Sequence, residues 1–144
     1  MKSNVKNKIG LLIALLLLGY GIIRIGVGGA LLAQSFEIVS SSDLAEATLK
    51  VKQFIDIRAD KQIIPFSLIG YFTYILAMGI LLTTGAIGAI VRRKWGFIIL
   101  WIYLANHAAL FINYQEINPK LFVLALQLVL LFVMIYLRPS KPLN

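Results

Sequence analysis

The sequence predicts an all-α integral membrane protein, a four-helix bundle with both termini cytoplasmic and an amphipathic helix in the outer loop between spans 1 and 2. Three observations predict it. Of the 144 residues 60% are hydrophobic and 14% charged, and the mean hydropathy is +0.87, outside the range of a soluble domain. The apolar residues gather in four stretches, about 9–33, 65–91, 95–113 and 119–137, each long enough at about 1.5 Å per helical residue to cross a hydrocarbon core of about 30 Å. The charges, finally, are sorted by segment. Lys2, Lys6 and Lys8, the turn Arg92-Arg93-Lys94, and Arg138 with Lys141 carry no acidic neighbour, whereas Glu37, Asp43, Glu46, Asp56, Asp60 and Glu116 fall in the other connections. With four spans the three basic segments share one side, and the positive-inside rule makes that side cytoplasmic.

Residues 1–144 then form a single membrane domain, and the expected location is a bacterial-type cytoplasmic (inner) membrane. The formal charge of +8 comes from short clusters at the ends of apolar runs, so it is topogenic and does not indicate a nucleic-acid partner; the partner is the lipid bilayer. The absence of cysteine excludes disulfide exchange, thiolate catalysis and Cys-ligated metal centres on this chain.

The first stretch follows three lysines as a signal peptide would, but it is too long for the apolar core of one and Leu31-Leu32-Ala33 offers no small-x-small cleavage pattern. It is expected to be an uncleaved anchor. One charge, Arg24, interrupts it, and an ionised side chain at that depth is a functional or assembly hypothesis by default. The outer loop, 34–64, holds Leu44, Ala47, Val51, Phe54 and Ile55 at spacings of three and four, with Asp43 and Glu46 as a capping box or Ser42 as an alternative cap. This predicts an amphipathic helix of about 14 to 16 residues, lid or docking element, on the bundle or in the interface.

The second span is expected to start after Pro65. Its Gly70, Gly79, Gly85 and Gly88, with Gly19, Gly21, Gly26, Gly28 and Gly29 of the first, are expected to let neighbouring backbones approach closely. Arg92-Arg93-Lys94 with Trp95 forms a tight hairpin at the headgroups. The third span carries Trp101, Tyr103, Asn106, His107 and Asn113; Pro119 starts the fourth, whose one strongly polar interior residue is Gln127.

Counting from the outer end of each span, Arg24 lies nine residues before Ala33, Tyr74 eight after Phe66, His107 six before Asn113 and Gln127 eight after Pro119. All four fall about 9–14 Å below the outer boundary. Each helix thus supplies one polar side chain to a common layer, and Asn106 is an alternative to its neighbour. The guanidinium has only donors, and Gln, Asn, neutral His and Tyr can all accept from it. No span contains an acid, so Arg24 is expected to snorkel toward Glu37 and the headgroups, to face a ligand, or to meet a partner subunit. Arg24, Tyr74, Asn106, His107 and Gln127 are the candidate site residues.

His107 is the one histidine, so the chain cannot supply bis-His haem ligation, and no nucleophile–base pair or metal set can be assembled within the spans. No cofactor, catalytic residue or metal ligand is expected. Arg24-Ile25-Gly26-Val27-Gly28 in the first helix, with Gly79-Ile80-Leu81-Leu82-Thr83-Thr84-Gly85 before Arg92 in the second, resembles the DoxX-like family of small four-helix membrane proteins over the first three spans. The resemblance implies a quinone-linked or redox association. The family's Lys after the first helix and Glu in the second are replaced here by Gln34-Ser35-Phe36 and Tyr71-Phe72-Thr73-Tyr74.

The preferred expectation is a non-enzymatic accessory or subunit protein assembling with itself or a larger membrane complex. The competing one is a ligand-handling protein, for quinone, lipid or small anion, with an outer-leaflet polar pocket around Arg24. The direction in which Arg24 points separates them.

Overall fold

A computed structural model describes residues 2–141, apart from the side chains of Lys2 and Ser3; residue 1 and residues 142–144 lie outside the described part. Five helices follow one another among these residues: α1 (Lys2–Ser35), α2 (Ser42–Ile57), α3 (Leu68–Ile90), α4 (Lys94–Tyr114) and α5 (Leu121–Leu137). Helices α1, α3 and α4 are long and apolar enough to cross a membrane, while α5 is apolar but has 17 residues.

Several boundaries differ from those the sequence predicts, each for a local reason. The apolar stretch 9–33 is the inner part of a 34-residue α1, because the polar residues before it continue the helix. Helix α3 begins at Leu68 instead of just after Pro65, since the Ser67 side chain caps it by accepting from the Gly70 N–H at 3.0 Å. The α5 helix begins at Leu121, as Asn118 to Lys120 form a turn in which the Leu121 N–H reaches the Asn118 carbonyl at 2.9 Å. Helix α2 has the expected 16 residues, but neither expected cap forms. Its N-cap is Ser41, whose N–H donates to Gln34 Oε1 at 3.1 Å, and Glu46 pairs instead with Lys50 one turn on.

The apolar stripe of α2 faces the protein: Ile55 is buried, Leu44, Ala47, Val51 and Phe54 are half-buried, and Lys50, Lys52 and Asp56 are exposed. In lipid, apolar burial supplies little net drive between helices, so close packing must do the work. Antiparallel α1 and α3 achieve it through glycine. A Cβ at Gly21 would lie 2.8 Å from Thr83 N, one at Gly28 3.0 Å from Leu76 N, and one at Gly79 2.8 Å from Ile25 N. Gly88 and Gly96 bring α3 and α4 together backbone to backbone, and Gly85 meets Leu100. Gly19, Gly26 and Gly29 behave otherwise than expected, with open space where a side chain would go. Helix α5 packs on α1 and α4. The core between these helices contains Ala14, Leu17, Met78, Leu82, Leu100, Tyr103, Leu131 and Met134.

The two ends of the molecule are tied differently. At one end Arg138, 8% exposed, donates to the Ile90 carbonyl at 2.7 Å and to Asn7, and Arg92 Nε donates to the Pro139 carbonyl at 3.0 Å. This end gathers the basic segments. At the other, the chain leading into α3 is pinned to the end of α4. The Ile64 N–H donates to Asn113 Oδ1 at 2.7 Å, Asn113 Nδ2 donates back to the Ile64 carbonyl at 3.0 Å, and the Ile63 N–H reaches the Asn113 carbonyl at 3.0 Å.

Candidate functional site

Arg24 lies on the stretch of α1 that Gly79 and Gly28 hold against α3, and its half-buried side chain turns into the protein. Its Nη1–H donates to the Tyr103 hydroxyl at 3.0 Å. That hydroxyl donates in turn to Gln127 Oε1 at 3.1 Å, and His107 Nδ1 meets the same oxygen at 2.9 Å. A carboxamide oxygen only accepts, so His107 Nδ1 carries the hydrogen, and in a neutral imidazole Nε2 is left as an acceptor. The guanidinium also sits over the rings of Tyr20 and Tyr103, 5.5 and 5.8 Å from their centroids. Among the described residues two ion pairs form, Glu46–Lys50 and Arg58–Glu116, and Arg24 belongs to neither. The expected reach toward Glu37 is therefore corrected: the hydroxyl of Tyr103 offers Arg24 a partner at its own depth.

Arg24, His107 and Gln127 are thus joined into one chain of hydrogen bonds, with Tyr103 as the link the sequence reading left out. Tyr103 precedes His107 by one helical turn, and that spacing puts both on one face of α4. Tyr74 and Asn106 stand apart. The Tyr74 hydroxyl donates to the Asn106 backbone carbonyl at 2.6 Å, and Asn106 Nδ2 donates to the Ile102 carbonyl at 2.8 Å. They line a separate cavity of about 150 Å³ with Phe66 and Asn113. A count of residues along a helix gives height in the membrane but not direction around the axis, so the common depth of the five did not make them one cluster.

Beside the Arg24 chain lies a cavity of about 90 Å³. Arg24 and His107 line it, with Tyr71 and Ile75 of α3, Leu110, Phe111 and Tyr114 of α4, Phe54 of α2, and Glu116, Asn118 and Lys120 of the turn before α5. Along α4 the lining extends from His107 to Tyr114, about 10 Å. Its walls are aromatic: Phe54 meets Tyr114 edge to face with ring centroids 5.3 Å apart, and Phe66 and Tyr71 complete the cluster. The Tyr114 hydroxyl is buried without a hydrogen-bond partner.

Helix α2 contributes Phe54 to the lining, and its C-terminal end is fastened to the turn before α5. Arg58 Nε and Nη2 donate to the two carboxylate oxygens of Glu116 at 2.6 and 3.0 Å, a bidentate pair. The Arg58 guanidinium lies 4.1 Å from the centroid of the Phe54 ring, and Lys120 Nζ approaches that ring at 5.4 Å. The hydrogen bond and charge of Arg58 hold the Glu116 carboxyl below the usual carboxylate range, and the same contact raises the Arg58 guanidinium. The one acid in the lining is therefore already neutralised by a partner, whereas the two cations facing the cavity, Arg24 and Lys120, are not.

Among the described residues no group of three His, Cys, Asp or Glu side chains could hold a metal ion. No model of a known protein family matches the chain, nor does any curated protein or solved structure.

Proposed function

We propose that the chain is a four-span protein of a bacterial-type cytoplasmic membrane that handles a small ligand, quinone, lipid or small anion, in an outer-leaflet pocket around Arg24. In this reading α5 is the fourth span, since its 17 residues, all apolar except Gln127, are within the length that crosses a bilayer. The end where Asn7, Ile90, Arg92 and Arg138 meet is cytoplasmic, because it gathers the basic segments. Helix α2 then lies on the outer side, with all six acidic residues.

The observation that carries the reading is the direction of Arg24. A guanidinium that served only to anchor the helix at the headgroups would point outward; this one turns inward to Tyr103 and lines a cavity with His107. The test is purification from native membranes in mild detergent, with mass spectrometry of what remains bound. A small molecule is expected with the wild type and not with Arg24→Leu at an equal melting temperature. Identical small-molecule content in both would refute the reading.

Assembly with itself or a larger complex is a second reading, favoured by one observation. Gly19, Gly26 and Gly29 of α1 have no neighbour where a side chain would go. It predicts that Gly26→Leu reduces cross-linking to a neighbouring chain while leaving ligand content unchanged.

A further inference from the structure

The cavity beside Arg24 carries an excess of positive charge. The guanidinium has five N–H groups and spends one on Tyr103. Tyr114 adds a hydroxyl that is buried and unpartnered, on a residue only 4% exposed that lines the cavity wall. Lys120 adds a second cation at the mouth. Against these stands one carboxylate, Glu116, both of whose oxygens are engaged by Arg58. His107 Nε2 accepts in the neutral ring and donates when the ring is protonated, so it can meet an acidic group in either protonation state. A neutral ligand would leave the Arg24 charge uncompensated in a site walled by Phe54, Tyr71 and Phe111, where it is costly. A cationic ligand would add to the repulsion.

Size narrows the choice further. A cavity of about 90 Å³ takes several waters or a polar head group. A head group fits inside, with the remainder of an amphiphile leaving through the open side of the cavity.

Resting on the ligand-handling reading above, we propose that the cavity binds a small oxyanion, a carboxylate or phosphate group, with Arg24 as its charge partner, the Tyr114 hydroxyl as a donor on the wall and Lys120 drawing it to the mouth. The group can arrive as a free anion or as the head of an acidic amphiphile; the chemistry recognised is the same.

The experiment uses the full chain in nanodiscs of zwitterionic lipid, with calorimetry against empty discs. Acetate and inorganic phosphate represent free anions, decanoate and decyl phosphate represent amphiphiles, and decanol and decyltrimethylammonium are the uncharged and cationic controls. At least one anionic probe is expected to bind saturably, one per chain and more than tenfold tighter than decanol, and the cation is expected not to bind. Arg24→Gln is expected to weaken the anion about 100-fold, as loss of a desolvated charge partner does. Tyr114→Phe removes one hydrogen bond to a charged group and should weaken it about tenfold. Binding of acetate or phosphate would support a free anion, and binding of the amphiphiles alone a lipid head.

Equal affinity for decanol and the anions, or unchanged anion affinity in Arg24→Gln, overturns the proposal. Should Arg24→Gln lose its melting transition, Tyr114→Phe and Lys120→Gln decide, and unchanged anion affinity in both overturns it. Arg24-dependent binding of a quinone in place of any anion would overturn the oxyanion assignment alone. No binding of any probe, together with equal small-molecule content in wild type and Arg24→Leu, would overturn both readings.

Discussion

Replacing Gly79 by alanine tests whether the α1–α3 contact that seats Arg24 is a backbone-to-backbone contact. The added Cβ would stand 2.8 Å from Ile25 N, 3.0 Å from Ile25 Cγ1 and 3.1 Å from the Arg24 carbonyl carbon. Ordinary Cβ contacts begin near 3.4 Å, so α1 and α3 must part by about 0.6 Å, the difference between 3.4 and 2.8 Å. No rotamer change can absorb this, because two of the three atoms are backbone. Overpacking of this kind costs about 1–3 kcal/mol, set against a helix-propensity gain of up to about 1 kcal/mol for Gly→Ala. Gly26→Ala is the matched control: it lies in the same region of α1, and its Cβ meets nothing within 4 Å. Propensity cancels between the two variants, so Gly79→Ala should be less stable than Gly26→Ala by about 1–3 kcal/mol. Equilibrium unfolding of both in one detergent measures the difference. If Gly79→Ala proves as stable as Gly26→Ala, the close approach of α1 and α3 is wrong, and with it the placement of Arg24.

Arg138→Lys should destabilise by about 1–3 kcal/mol in the same assay, because one ammonium cannot reproduce a guanidinium fork that spans Ile90 and Asn7. Asn113→Ala removes both side-chain bonds to Ile64 and should make the segment between α2 and α3 a site of limited proteolysis while the helices stay intact. The Arg58–Glu116 fastening should loosen in acid. The Glu116 carboxyl titrates lower in the folded state than when free, so its contribution is fully present above the ordinary carboxylate range and is lost as pH falls through the lowered folded value. A reporter on α2 should detach below the ordinary carboxylate range in the wild type and already be loose at neutral pH in Glu116→Gln; a pH-independent wild-type signal would contradict the fastening.

The helices were legible because each is written twice, once in hydropathy and once in charge. The apolar stretches located α1, α3, α4 and α5 to within a few residues at most ends, and the three-and-four spacing of Leu44, Ala47, Val51 and Phe54 located α2. Caps were less legible. Ser41, Ser42 and Asp43 are all competent N-cap residues, and the choice among them is made by Gln34 on another helix. The site was half legible for a related reason. Arg24, His107 and Gln127 announce themselves as polar letters in apolar runs, whereas Tyr103, Tyr71 and Tyr114 resemble any interfacial or lipid-facing aromatic until their neighbours are known. Glu116 reads as an ordinary turn charge and Lys120 falls at the start of the fourth apolar stretch, and their roles depend on where α2 lies. Direction around a helix axis is a tertiary property, and for that reason Tyr74 and Asn106 could share the depth of Arg24 without sharing its cavity.

The meeting of Gly88 and Gly96 has a mechanical meaning. With no side chain between them, these residues hold α3 and α4 backbone to backbone at one end, so a tilt about that point is the relative motion that keeps their contact. From Gly88 to the start of α3 near Gly70 is a lever of about 27 Å. A tilt of about 5° about the pivot displaces the far end by about 2.4 Å, close to the width of a water molecule. The cavity lies at that far end, between Tyr71 of α3 and Tyr114 of α4, and α2 contributes Phe54 to its lining. A small angular change about this contact would therefore widen the gap between Tyr71 and Tyr114 without loosening the basic end.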